Sequence, residues 1–507
     1  MAFVEKQNID YTSLKTLKRE VVPVVVNVAS GEVSISKVIS VVPIVKIEQV
    51  MPSNKSAQIE GKLCAKVIIQ TTEGAFKAIQ ADTLFKTMVL DDDIGLDSTI
   101  LTDVGVVGIG GLSAGAQSVS LTVSVGIEPK VLVKSEIEYV SSLEVAECKM
   151  EEISFCNIIA SNVQEFNIEV ELEQPSLIGE ILCAESKIQV LNVEAGNDIV
   201  RFSGDMIVNL VYLSSDEPAK LKNQFYTQSF SHEIIATNIT PQDIVLGSLS
   251  VCNTDIKLEG ELNSAKGTII LSSAVKSCVL VEKEQTALMV VDAFCPKYNL
   301  NLNSKQIEFL SKAESYTTVE KVDGSVVLGE ESERIDRVLG VCGHSVIVDK
   351  VTNENDKAYI EGKVVCNVAF TLDDENCTVN SILTTIPFSV SLPNTGEVID
   401  VEIVARDIDA RHKRSKEIDI ICELAIVLKS TKKFAFTFLC DATLGAKREN
   451  NFSPMCLYFV NSAENLWELS KKLCVSGELI MEQNPNLTFP ITSTQKLLVY
   501  RKRTTTY

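Results

Sequence analysis

Residues 59–70, which read IEGKLCAKVIIQ, decide the fold. Apolar or small residues alternate with polar ones along this stretch, and that period of two is typical of a β-strand with one buried face. The same block returns as FSGDMIVNLVYL at 202–213 and as IEGKVVCNVAFTL at 360–372. Each copy follows a short apolar run and a turn rich in Pro, Gly, Asn and Asp, so the sequence predicts a β-hairpin that occurs three times.

A glycine occupies the third position of each copy, at Gly61, Gly204 and Gly362. A glycine inside a strand predicts a β-bulge or a close approach of two backbones. The interval between the copies is that of a whole domain and far exceeds the roughly 20–50 residues of solenoid repeats. Short strands separated by turn signals favour antiparallel β-sandwiches. The predicted fold class is therefore mainly β, with three tandem antiparallel β-sandwich domains.

Domain boundaries are expected where the alternation weakens. The predicted organisation begins with an N-terminal arm or short helix and ends with a polar linker and a C-terminal module. The predicted ranges are 1–17 for the arm, 18–160, 161–312 and 313–447 for the three β domains, 448–454 for the linker and 455–503 for the module.

Composition excludes several functions. The 507 residues carry a net charge of −21, which would repel the phosphate backbone of nucleic acids. Three histidines leave little scope for histidine-based acid–base or zinc chemistry, and the fourteen cysteines form no C-x-x-C pair. We therefore expect neither an enzyme nor a bound metal or cofactor, and we expect the thiols to be reduced and mostly buried.

The chain is also expected to lack a membrane span and a signal peptide. Its first residues, MAFVEKQNIDYTSLKTLKRE, contain charges from Glu5 onward and no apolar segment of signal-peptide length. The longest uncharged run, at 104–127, is rich in glycine and serine, and its second half alternates with the period of a strand.

After Pro454 the pattern changes to strand, helix, helix, strand. An apolar strand at 457–460 precedes Leu466, Leu469 and Leu473, whose spacing places them on one face of a helix. A second short helix is expected to open at residues 475–477 and to end at Asn484, before a closing strand at 497–500. The sequence thus predicts a small α+β module with its own core.

This module resembles the LysM family. The residues that match the family pattern are Tyr458, Val460, Leu466, Trp467, Leu469, Val475, Leu479, Asn484, Pro485, Asn486, Leu487, Ile491, Gln495, Leu497 and Val499. The resemblance implies binding through the first turn and the loop after the second helix. The candidate partner-binding residues are accordingly Ala463, Glu464, Asn465, Leu466, Trp467, Asn486 and Leu487. LysM modules generally bind N-acetylglucosamine polymers, but Ala463, Glu464 and Asn465 replace the usual Gly-Asp-Thr/Ser turn, which favours a protein partner.

The body is similar to the SPOCS-domain proteins of the bacterial spore coat. The resemblance rests on the repeated Ile-Glu-Gly strand, on the terminal LysM-like module and on VDAFCP at 291–296. Asp441 and Ala442 match only the Asp-Ala part of that motif. It implies a non-enzymatic structural protein in the mother-cell cytoplasm, at the forespore surface. The LysM-like module would bind the ATPase that polymerises there, and the β domains would contact other coat components or one another.

Two alternatives remain open at this point. The chain could be a peptidoglycan-binding or N-acetylglucosamine-binding protein of the cell envelope, in which the β domains serve as spacers. It could also be a hydrolase with an unfamiliar site in the β domains.

Overall fold

The computed structural model describes residues 3–173, 178–215, 220–259, 267–375, 377–448, 453–460, 464–489 and 495–501. The prediction of a mainly β fold is confirmed, because most of these residues lie in strands of several separate antiparallel sheets. The finer division of the chain into domains stays a prediction. We use the term "unit" for each of three successive sets of strands that repeat one pairing order.

The first unit contains seven strands: β1 (Val4–Thr16), β2 (Glu20–Ala29), β3 (Ile35–Ser53), β4 (Ser56–Thr71), β5 (Phe76–Leu90), β6 (Ile100–Ala114) and β7 (Ser118–Leu143). The second contains β8 (Glu147–Glu173), β9 (Ile178–Ala195), β10 (Ile199–Ser214), β11 (Leu221–Ile235), β12 (Ile244–Glu259) and β13 (Thr268–Phe294). The third contains β14 (Tyr298–Leu310), β15 (Glu314–Val327), β16 (Ile335–Glu354), β17 (Lys357–Leu372), β18 (Val379–Pro393), β19 (Glu397–Arg414), β20 (Glu417–Thr431) and β21 (Lys433–Lys447).

The C-terminal residues form a small group of two strands and two helices, which we call the head. It comprises β22 (Met455–Val460), α1 (Leu466–Leu473), α2 (Gly477–Gln483) and β23 (Gln495–Tyr500). The predicted order of strand, helix, helix and strand is confirmed.

Each unit encloses one hydrophobic core between two sheets. In the first unit the sheet β3-β4-β5 faces the sheet formed by β2, β7 and β6, and Ile59, Leu63 and Val67 of β4 are fully buried between them. The sheets β9-β10-β11 and β16-β17-β18 occupy the corresponding places in the other two units. The apolar face predicted from residues 59–70 is therefore the face that packs.

The repeated glycine lies at a repeated bulge. The register of pairing shifts beside Gly61, Gly204 and Gly362, at the point where each faces the neighbouring strand. A Cβ at any of the three would strike the carbonyl oxygen of Lys46, Gln189 or Ile347 respectively. The predicted close approach of two backbones is confirmed, and its physical reason is the absence of space for any side chain.

A hairpin turn follows the strand before each copy of the block. In the third unit Glu354 pairs with Lys357, so that only Asn355 and Asp356 connect β16 to β17. Both have positive φ, 53° and 58°, as a type I′ turn requires. Asn and Asp tolerate this left-handed conformation better than most residues, which explains why they stand in the predicted turn.

Three two-stranded ribbons join the units. β1 pairs with the second half of β7, the first half of β8 pairs with the end of β13, and β14 pairs with β21. Residues 1–17 were predicted as an arm or short helix, but Val4–Thr16 is strand β1 of this arrangement. Tyr11, Phe155 and Phe309 come from the three different ribbons and pack with ring centroids 4.8–5.8 Å apart. All three side chains are buried, so the units share a common core.

Buried charges also lie where the units meet. Lys429 of the third unit donates to its own Asp400 (3.1 Å) and to the Gly247 carbonyl of the second unit (2.9 Å). Lys130 of the first unit pairs with its own Asp103 and lies 3.6 Å from Asp400. Burial alone would raise the pKa of Asp400, but Lys429 and Lys130 outweigh it and hold that pKa at about 2.

Substitution of a bulge glycine tests the fold. We expect Gly204→Ala to lower the free energy of unfolding by roughly 1–3 kcal/mol, because the new methyl group overlaps the Gln189 carbonyl. The matched control is Gly105→Ala, where an added Cβ meets nothing within 4 Å. Denaturant unfolding followed by circular dichroism measures both changes. Equal stability of the two variants would contradict the assignment.

The partly buried Asp400 makes stability depend on pH. We expect Asp400→Asn to cost about 3 kcal/mol at pH 7, because two buried lysines lose a shared counter-charge. A carboxyl with a lowered pKa stabilises the fold above its unfolded pKa, and that stabilisation is lost as pH falls towards about 2. The deficit of the variant should therefore be smaller at pH 3 than at pH 7. Asp92→Asn, at an ion pair whose side chains are 65% and 85% exposed, should change stability by less than about 0.5 kcal/mol.

Candidate functional site

The head folds around its own core. Val460, Leu469, Ile480, Leu497 and Val499 are buried in one cluster between the two-stranded sheet and the two helices. Helix α1 begins at an N-cap, Asn465, whose side chain accepts a hydrogen bond from the Glu468 N–H (2.8 Å). Ser476 caps α2 in the same way. Capping side chains satisfy backbone donors that have no partner within the helix, which fixes where each helix starts.

The first candidate loop is held in place by polar contacts. Ala463 lies outside the described residues. The Glu464 carboxylate accepts hydrogen bonds from Tyr458 Oη (2.8 Å) and Lys472 Nζ (2.9 Å), and Asn465 is exposed although its side chain caps the helix. These contacts fix Glu464 and Asn465, the described end of the loop, against the start of α1.

Trp467 is turned towards the body. Its Nε1 donates to Asp292 Oδ2 at 2.9 Å, and its ring packs edge-on against Phe294, with centroids 5.3 Å apart. Lys471, one turn further along α1, places Nζ 2.7 Å from the same carboxylate oxygen. Leu466 is partly buried against the core of the head. Trp467, which was predicted to contact a partner, thus contacts Asp292 and Phe294 of the same chain.

Asp292 is the electrostatic centre of this contact. Partial burial favours the neutral acid, but hydrogen bonds from Lys471 and Trp467 outweigh burial and lower the pKa of the carboxyl. The group is therefore ionised at neutral pH, and it accepts from both a cation and the indole N–H. Arg448 adds a second link, since its guanidinium lies 2.7 Å from Cys474 Sγ at the end of α1.

Of the two predicted residues in the second candidate loop, one is accessible. Asn486 is exposed, whereas Leu487 is 4% exposed and belongs to the core of the head. Among the described members of the predicted set, only Asn465 and Asn486 are exposed. Sequence reasoning did not identify Asp292, Phe294 and Lys471 as contact residues. Asp292 and Phe294 belong to the VDAFCP motif at 291–296. The motif indicates a family resemblance, but nothing in it predicts a contact with the head.

Other parts of the chain offer less for chemistry. In the described ranges, no group of three or more His, Cys, Asp or Glu side chains is placed to hold a metal ion. All fourteen cysteines are free, and burial raises the pKa of Cys183 and Cys342 to about 12. No described helix is both long and apolar enough to cross a membrane.

A cavity of about 840 Å³ lies between the first and third units. Arg19 lines it, donates to the Val348 carbonyl (2.9 Å) and lies 3.8 Å from Glu128. Asp400 lines it too and is paired with Lys429. Arg19 and Asp400 thus both take part in contacts between the first and third units.

Comparison with known proteins gives no relative: no family model, no curated protein and no solved structure matches the chain. The class of protein is therefore defined by the structure alone, as a mainly β chain with several antiparallel sheets and a small helical head.

The single tryptophan reports on the contact between head and body. We expect Asp292→Ala to shift the fluorescence emission of Trp467 to longer wavelength and to increase its quenching by acrylamide, because the indole loses its acceptor and becomes more accessible. Asp441→Ala is the matched control, since Asp441 is the corresponding residue of the third unit and lies near Lys6. Identical spectra for the wild type and Asp292→Ala would contradict the docked position of the head.

Proposed function

We propose that this chain is a non-enzymatic structural adaptor of spore-coat or spore-envelope assembly. In this proposal the three units are SPOCS-like β-sandwich domains, and the head is a LysM-like module that binds a protein at the forespore surface. The proposal places the chain in the mother-cell cytoplasm. The observation that carries it is the construction of the molecule, in which a head with its own core is mounted on a large β body.

The construction of the body supports a scaffold. Aromatic side chains from three ribbons pack together, and buried lysines link neighbouring units. Units joined by shared cores move less freely than domains on flexible linkers. A rigid body holds the head and the surfaces of the units at fixed separations, and several weak contacts on one layer then reinforce each other through effective concentration.

The loops of the head favour a protein partner. Glu464 is tied to Tyr458 and Lys472, and Trp467 contacts Asp292, so this turn differs chemically from the turn of the glycan-binding family members. Residues 455–507, which comprise the head and the residues after it, contain six Lys and Arg against four Asp and Glu, although the whole chain carries −21. An acidic partner is repelled by the strongly acidic body and less so by this C-terminal region, which therefore favours binding at the head. By resemblance, we take the partner to be the coat-basement ATPase.

Co-sedimentation with the polymerised ATPase tests the proposal on the full chain. We expect saturable binding, and we expect Asn486→Glu to weaken it at least tenfold, because the change places a charge in the exposed second loop. Asn192→Glu, at another exposed asparagine on the body, should bind like the wild type.

Purified peptidoglycan serves as the competing ligand in the same assay. Saturable binding to peptidoglycan without binding to the ATPase would overturn the proposal in favour of the envelope alternative. A fluorescent fusion of the full chain should form a ring around the forespore during sporulation. An even signal along the vegetative wall would contradict the proposed location.

A further inference from the structure

The two-stranded sheet of the head leaves one face uncovered. Its inward-pointing residues pack on the helices, and its outward-pointing residues are almost all apolar. We call the latter the outer sheet face; it consists of Met455, Leu457, Phe459, Leu498 and Tyr500, which are 42–59% exposed, together with Lys496. The described residues of the body therefore do not cover this face.

The outer sheet face is a regular patch. Met455 pairs with Tyr500, Leu457 with Leu498 and Phe459 with Lys496, so three cross-strand pairs form two parallel rows. Lys496 lies over the Phe459 ring, 5.9 Å from its centroid. Five of the six positions are apolar, whereas the exposed face of a small sheet in water is normally polar.

We propose that the outer sheet face binds the same face of a second copy of this chain and forms a two-fold symmetric dimer. The first argument is area. A large side chain carries on the order of 200 Å² of surface, so five that are about half exposed offer roughly 500 Å². This equals the largest apolar patches of monomeric proteins. Two such faces together bury about 1,000 Å², the lower limit for a specific interface.

The second argument is self-complementarity. A two-fold axis that lies in the plane between the two faces and runs perpendicular to the strands lays Leu457 and Leu498 on their counterparts and opposes unlike corners. The corner with Phe459 and Lys496 then meets the corner with Met455 and Tyr500 of the other copy. Each lysine faces a tyrosine ring and not another lysine, which adds a cation–π contact to the burial of apolar area. The face thus suits a second copy.

Another exposed apolar row provides the internal comparison. Leu84, Met88 and Leu90 of β5 are 60–74% exposed, but they form a single row on an edge strand of the body. A single row buries less area against a flat partner than two rows do. Substitution in β5 is therefore a matched control for substitution in the outer sheet face.

Sedimentation velocity of the full chain over a range from about 1 to 200 µM tests the inference. We expect a monomer–dimer equilibrium in the micromolar range, because interfaces at the lower limit of size belong to weak and transient complexes. Phe459→Glu should weaken dimerisation at least tenfold, whereas Met88→Glu should leave it unchanged. Both side chains are exposed, so both variants should fold like the wild type. Circular dichroism checks this.

Each outcome decides the inference. A wild type that stays monomeric throughout, a dimer that survives Phe459→Glu, or a dimer lost equally in Met88→Glu would overturn it. The inference does not depend on the proposed function, because Phe459→Glu should retain saturable binding to the polymerised ATPase and lose only the avidity that a dimer adds. Conversely, Asn486→Glu should still dimerise, so the failure of one proposal is distinguishable from the failure of the other.

Discussion

The body depends on the packing of Tyr11, Phe155 and Phe309, one aromatic residue from each unit. Their rings contact each other because the strands that carry them belong to ribbons outside the sandwiched sheets. Strand β8 has 27 residues and β13 has 27, long enough to serve one core within their own unit and a second core shared by all three. The Tyr11 hydroxyl accepts a hydrogen bond from the Leu310 N–H (3.0 Å), so the shared core also satisfies a backbone donor between units.

Local patterns in the sequence predict the interior of each unit well. The alternation in residues 59–70 identifies the buried face of β4, and the glycine at its third position identifies a bulge that no other residue fits. Such features depend on neighbouring strands of one hairpin, whose register is set by a short turn and one apolar face. The strand, helix, helix and strand order of the head is predictable for the same reason, because caps and apolar spacing are local signals.

Long-range pairing is not encoded in this way. Strand β1 pairs with residues more than a hundred positions away in β7, and its burial pattern has only one fully buried residue, Tyr11. A segment with so little apolar periodicity has no signal that separates strand from arm. The contact of Trp467 with Asp292 was not predicted, because the two residues lie far apart in the sequence and neither local pattern indicates a partner. The sequence therefore predicts which loops form the candidate site, but it does not predict which of their side chains are accessible to a partner.

The two sides of the head differ in their surroundings. Strict alternation in β22 sends Tyr458 and Val460 towards the helices and Leu457 and Phe459 outwards. Helix α1 contacts the body through Lys471 and Trp467, so the outer sheet face points away from that contact and stays exposed in the intact chain. Asn486 lies in the loop after α2 and is not part of the outer sheet face, so a dimer would present two candidate partner-binding loops. Two linked loops on one assembled layer bind more tightly than one, even where each contact is weak, because the second contact forms at high effective concentration.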